Sequence, residues 1–164
     1  MILTTHAVVG AAFSNLFPNN KTLGFIFAFF SHYILDMLPH SDYKVEGFLD
    51  SKTKTIKSIF NNIKALLSLL TIAADSLAGI VISILIFARD EKSLLTTIIG
   101  AIAAMLPDFL QLLYYKFKKQ PFTSIQKFHN YFHTPIEMDD RPISGFLIQI
   151  PVSLFFVLTY LFLK

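Results

Sequence analysis

Apolar residues along this chain gather into five runs separated by short polar breaks. Three of the runs are long enough to cross a bilayer, for which about 20 residues suffice. They are ALLSLLTIAADSLAGIVISILIFA (65–88), SLLTTIIGAIAAMLPDFLQLLYY (93–115) and ISGFLIQIPVSLFFVLTYLFL (143–163). Two shorter runs come first, over 2–17 and 22–38, joined by FPNNK (17–21), whose proline and asparagines mark a tight reversal. Residues 2–38 are therefore expected to form a helical hairpin that need not cross the whole membrane. The segment PHSDY closes the second run, RDEK (89–92) links the third to the fourth, and KFKKQP (116–121) ends the fourth.

Polar sequence fills the two longer gaps. From about residue 55, apolar positions at 56, 59, 60 and 63 alternate with lysines at helical spacing, which predicts an amphipathic interfacial helix leading into the third run. A second short helix is expected within PFTSIQKFHNYFHTPIEMDDRP (121–142), bounded by Pro121 and Pro135. The pattern as a whole predicts an all-α fold. It is a polytopic membrane helical bundle of about five apolar helices plus short interfacial helices, forming a single membrane-embedded domain over 1–164.

Composition sharpens this picture. Hydrophobic residues make up 54% of the chain and charged residues 15%, against about 25% charged in soluble domains. The N-terminal MILTTHAVVGAAFSNLF lacks a basic leader region and is expected to remain as a helix. A formal charge of +3 with no basic stripe or base-stacking motif suits anionic membrane lipids, and no nucleic acid is expected as a partner. If every apolar run crosses or re-enters, the loops 40–64 and 116–142 share one side. They hold Lys44, Lys52, Lys54, Lys57, Lys64, Lys116, Lys118, Lys119, Lys127 and Arg141, whereas the other side has only Lys21, Arg89, Lys92 and Lys164. That asymmetry places the loop side in the cytoplasm of an inner, cytoplasmic-membrane protein.

Candidate chemistry lies on that same side. FFSHYILDMLPH (29–40) sets His32 and Asp36 four residues apart, so they project from one helical face. FHNYFHT gives His129 and His133 the same spacing, by which one helix can chelate a divalent ion. His6 lies near the start of the first run, Asp108 near the end of the fourth, and Asp75 roughly 15 Å into the third at 1.5 Å per residue. Charged groups in apolar helices are costly unless something binds them. With no cysteine in the chain, thiolate sites are excluded, and a metal would rest on imidazoles and carboxylates. Such donors suit Zn²⁺ most, with Mn²⁺ or Fe²⁺ as further options. The expected ligands are His6, His32, Asp36, Asp75, Asp108, His129 and His133, enough for one or two ions bridged by a carboxylate. His40 and Asp42 in PHSDY are assigned to the interface and the turn, and Asp139 and Asp140 to a loop.

The elements TTHAVVGAAF, SHYILDMLPHSDY, LPDFLQ and FHNYFHT together resemble a family of small membrane-bound, predicted metal-dependent hydrolases of the LexA-regulated type. More distantly the pattern is similar to the all-helical zinc-dependent phospholipases C and related single-strand nucleases. The chain departs from the family pattern in PDFLQ, where Gln111 and its neighbours replace a second aspartate. The resemblance implies hydrolysis.

These readings lead to an intramembrane metal-dependent hydrolase, phosphodiesterase- or phospholipase-like, open to the cytoplasmic headgroup layer. Its substrate would be a phosphate- or ester-containing lipid or small molecule. Asp108 and Asp75 are the expected catalytic carboxylates, Asp75 as ligand or general base. Two alternatives stand beside it: a proton or cation transporter using Asp75 and Asp108, and a scaffold whose helices are stapled by metal.

Overall fold

The computed structural model describes residues 1–43, 63–136, 138 and 142–163. Among these residues the fold is all-helical: α1 (Leu3–Asn15), α2 (Lys21–Asp36), α3 (Ile63–Phe87), α4 (Glu91–Phe117), α5 (Phe122–Phe132), α6 (Pro142–Leu147) and α7 (Gln149–Leu163). The amphipathic helix expected from about residue 55, with Lys44, Lys52, Lys54 and Lys57, lies outside the described residues, as do Glu137, Asp139, Asp140 and Arg141.

Three helices are long and apolar enough to cross a membrane: Ile63–Phe87, Glu91–Phe117 and the continuous rod Ile143–Leu163 made by α6 and α7. About five apolar helices were expected. The difference lies in the hairpin. With 13 and 16 residues, α1 and α2 reach only about 20 and 24 Å at 1.5 Å per residue, short of a bilayer core of about 30 Å.

The hairpin's first arm is the centre of the bundle. Every residue of α1 except Thr4 and Phe13 is buried, and α4, α3, α2 and α7 pack around it. The outer helices expose Leu, Ile and Phe instead, as lipid-facing surfaces do. Three neighbours meet α1 through a glycine. A Cβ at Gly100 of α4 would come within 2.6 Å of the Gly10 carbonyl and 2.5 Å of Ser14 Cβ. One at Gly24 of α2 would meet Ser14 Oγ at 2.8 Å, and one at Gly79 of α3 would meet Thr4 Cα at 2.8 Å. Small residues let helix backbones approach this closely, which is how helices without a hydrophobic driving force gain dispersion contact.

Polar side chains fasten both ends of α1. At its C-terminal end Ser14 Oγ donates to the Thr96 carbonyl at 3.0 Å, and Asn15 Nδ2 donates to Thr97 Oγ1 at 2.9 Å. At its N-terminal end the first amides have no partner within the helix. Each is met by a different element: Ile2 N donates to Gln149 Oε1 at 3.0 Å, Leu3 N to Tyr43 Oη at 2.9 Å, and Thr4 N to Asp75 Oδ2 at 3.0 Å. In α4, Asp90 and Ser93 form a capping box that sets the start, and Lys118 ends the helix in the left-handed region at φ 50°.

Candidate metal centre

The end of α2 supplies His32 and Asp36, both buried, on one face as the four-residue spacing predicts. Across from them α1 brings His6, α4 brings Asp108 and α5 brings His129. His6 stacks on His32 with ring centroids 4.1 Å apart. The short helix α5 is seated by aromatic packing: Tyr33 of α2 touches Phe128 and Phe132 at 5.0 and 5.7 Å between centroids, which turns His129 inward. Pro107 inside α4 removes one helix hydrogen bond and crowds the carbonyl a turn back. The adjacent Ala104 carbonyl accepts from His32 Nδ1 at 2.9 Å. That bond leaves the His32 Nε2 lone pair facing the cluster.

Four donor atoms converge: His32 Nε2, His129 Nε2, Asp36 Oδ2 and Asp108 Oδ1, all within 4.8 Å of one another. The first three form a tight triangle with edges of 3.0, 3.1 and 3.3 Å. Asp108 Oδ1 completes the set at 3.8 Å from each imidazole nitrogen. Ligands about 2.0–2.1 Å from a tetrahedral zinc ion stand about 3.3 Å apart, so these spacings fit a small first-row cation.

The second oxygen of each carboxylate faces elsewhere. Asp36 Oδ1 lies 3.3 Å from His6 Nε2, and Asp108 Oδ2 lies 4.0 Å from the same nitrogen. Both carboxylates therefore reach the His32–His129 pair with one oxygen and His6, stacked on His32, with the other. Buried polar atoms need partners. Among the described residues five buried side-chain polar atoms lack one, and four of these are His6 Nδ1, His6 Nε2, Asp36 Oδ1 and His40 Nε2. Clustering of the unsatisfied atoms here, rather than scatter, fits a cation binding at this place.

Asp75, expected as ligand or general base, stands outside both donor groups found among the described residues. Its carboxylate is taken up by Thr4 N at 3.0 Å, Thr4 Oγ1 at 2.7 Å and the Tyr43 hydroxyl, so it caps the start of α1. His133 also departs from expectation. It is the C-cap of α5, its ring centroid 5.7 Å from that of His129. It joins His40 and Asp42 in a second donor group. His40, expected at the interface, is buried, with 2% of its surface exposed. Burial acts to raise the Asp42 carboxyl, but its hydrogen bonds with His133 and His40 outweigh this and hold it well below the usual carboxylate range. The same bond to Asp42 raises His133.

A cavity of about 730 Å³ opens beside these groups. Asp36, Asp108, His129, Asp42 and His133 line it together with Leu69 and Ile72 of α3 and Met105, Phe109 and Leu112 of α4. Sequence reasoning missed Tyr33, which seats α5, and Gln111, whose amide lies 3.4 Å from His129 Nδ1. The spacing of Gln111 one turn after Asp108 was the available signal for the latter. No protein family, curated protein or solved structure matches this chain. The site is defined by its own geometry.

Proposed function

We propose that the protein is a membrane-embedded metal-dependent hydrolase that cleaves a phosphate- or ester-bearing lipid at the cytoplasmic headgroup layer. One observation carries this reading: Asp36 and Asp108 each present one oxygen to the His32–His129 pair and the other to His6, beside a cavity lined by both polar and apolar side chains. The donors would serve one or two divalent ions, zinc foremost. His32, His129, Asp36 Oδ2 and Asp108 Oδ1 would hold one, and His6, Asp36 Oδ1 and Asp108 Oδ2 would hold a second. Such ions lower the pKa of a water toward neutrality and polarise a phosphoryl or ester oxygen.

The chain's own residues supply the rest. Ala104 fixes His32 as the tautomer whose Nε2 faces the site. Asp36 is shielded from solvent, with its side chain 2% exposed, whereas Asp108 is 26% exposed and reaches the cavity. Asp108 is thus the ligand carboxylate that reaches the substrate side. Leu69, Ile72, Phe109 and Leu112 offer acyl chains a path between α3 and α4, two helices long enough to cross the bilayer. Lys116, Lys118 and Lys119 at the end of α4 favour an anionic headgroup there. The family resemblance carried by the His and Asp elements points the same way. The transport reading lacks a path: in the far half of the bundle the described buried polar residues, such as Ser14, Asn15, Thr96 and Thr97, do not ionise. The scaffold reading is weakened by the exposure of Asp108 to the cavity.

The test uses the full chain purified in detergent. Elemental analysis should find stoichiometric zinc or a related divalent metal. Phospholipid and polyprenyl-phosphate vesicles should be hydrolysed by the parent, and at least 100-fold more slowly by Asp108→Asn, as expected for loss of a ligand carboxylate. A parent without bound metal ends the proposal.

A further inference from the structure

Beyond the Asp36–Asp108 cluster, a second set of donors gathers on the chain that leaves α2 and the chain that leaves α5. His40 Nδ1 donates to the Leu38 carbonyl at 2.6 Å, and His133 Nδ1 to the Thr134 carbonyl at 3.1 Å. Those bonds turn both Nε2 atoms the same way. His40 Nε2 lies 3.2 Å from Asp42 Oδ1, and His133 Nε2 lies 3.1 Å from Asp42 Oδ2. The two rings are 4.9 Å apart.

The two segments are tied by backbone as well as side chains. Thr134 N donates to the Asp36 carbonyl at 2.8 Å, Met138 N to the His40 carbonyl at 3.1 Å, and Ser41 Oγ to the Met138 carbonyl at 2.9 Å. These bonds fix the relative positions of the donors before any ligand arrives. The decisive feature is His40. Its side chain is 0% exposed, and the nearest acceptor to its Nε2, Asp42 Oδ1 at 3.2 Å, lies off the hydrogen-bond axis. A buried imidazole nitrogen left this way is costly unless something binds it.

We propose that His40, Asp42 and His133 form a further divalent-cation site, separate from the Asp36–Asp108 cluster and facing the same cavity. Two imidazoles and one carboxylate suit a first-row ion, zinc foremost. Three protein donors leave coordination open, and Asp42 and His133 line the cavity, so the open side faces the space a headgroup would occupy. An anionic phosphate group is the ligand class this position suits. The assignment of the cation site does not rest on hydrolysis; only the choice of phosphate as its ligand rests on that reading.

The rival occupant is a proton, shared in a His–Asp–His chain in which His133 carries the charge and pairs with Asp42. The Met1 nitrogen, which also hydrogen-bonds Asp42, would belong to that same network, and Asp36 Oδ1 lies 3.9 Å from His40 Nε2.

The experiment titrates the metal-stripped full chain with Zn²⁺ in detergent against a chromophoric chelator. Parent, His40→Ala/His133→Ala and His32→Ala/His129→Ala proteins are compared, with helix content checked by circular dichroism. The site is supported if His40→Ala/His133→Ala loses one equivalent while keeping the rest, and His32→Ala/His129→Ala keeps that equivalent. It is overturned if a folded His40→Ala/His133→Ala protein binds as much zinc as the parent, which is the outcome a shared proton predicts. Should the double variant fail to fold, His133→Gln, at a partly exposed position, takes its place. One equivalent weakened at least tenfold supports the site, and an unchanged titration overturns it. Retained zinc at this site with no hydrolysis in the parent would sink the hydrolase reading alone.

Discussion

His32 and His129 lie 97 positions apart in the chain, and their Nε2 atoms face each other at 3.1 Å. The Nδ1 proton of His32 is committed to the Ala104 carbonyl, so its Nε2 presents a lone pair toward His129 and Asp36 Oδ2. The Gln111 amide beside His129 Nδ1 favours a proton on His129 Nε2, which then donates to His32; a bound cation would displace that proton and take both lone pairs. A bound metal stabilises the folded state by mass action, by about 4 kcal/mol at a free concentration 1,000 times its dissociation constant. Chelation should therefore lower the thermal midpoint of the parent by more than that of His32→Ala/His129→Ala, which lacks this pair of imidazoles. Differential scanning fluorimetry in detergent, with and without chelator, decides it. Equal midpoints for the parent under both conditions would assign the contact to a proton.

The sequence made part of this arrangement legible. His32 and Asp36 share a face because helix geometry alone dictates it, and the Pro–Asp step in α4 marked Asp108 as a polar residue in an apolar run. The split of His129 from His133 was not legible, because spacing cannot say where a helix ends; α5 stops at Phe132, and His133 turns to the other group. Asp75 misled for a related reason. A carboxylate buried in an apolar helix can serve a metal or the unpaired amides of another helix, and only the three-dimensional position of α1 distinguishes them. The three runs long enough to cross were legible from length and apolar character, which do not by themselves separate a span from a helix buried by protein, as α1 is.

Asp75 gives a prediction with a clear sign. It accepts from Thr4 N, Thr4 Oγ1 and the Tyr43 hydroxyl, and replacing it leaves the first turn of α1 uncapped. Asp75→Ala should cost about 1–3 kcal/mol of stability, the penalty for buried donors left without a partner. The metal content of the variant that folds should equal that of the parent. Elemental analysis showing a lost equivalent would return Asp75 to the ligand set.

The crossing of α1 and α4 links packing to the site, since α1 carries His6 and α4 carries Asp108. A Cβ at Gly100 would sit 2.6 Å from the Gly10 carbonyl and 3.0 Å from Ala11 Cα, both backbone atoms that cannot rotate away. The helices must part. Gly100→Ala should destabilise by about 1–3 kcal/mol, as overpacking does, and should weaken zinc binding by spreading His6 from Asp108. Thermal unfolding and zinc titration of the variant check both. A parent-like midpoint would mean that the two backbones do not meet this closely.

Sidedness can be settled with the chain's own composition, because it contains no cysteine and any introduced thiol is unique. Arg89 precedes α4 and Gln120 follows it, both exposed, at opposite ends of a helix about 40 Å long at 1.5 Å per residue. The proposed function puts the Gln120 end, and with it the metal centre, in the cytoplasm, as the positive-inside rule expects from the basic residues at the end of α4 and in α5. In intact cells a membrane-impermeant maleimide should label Arg89→Cys and not Gln120→Cys, and permeabilisation should expose the second. Labelling in the reverse order would place the histidines and aspartates on the outer face, where the lipid headgroups available to them differ and a cytoplasmic substrate could not reach them.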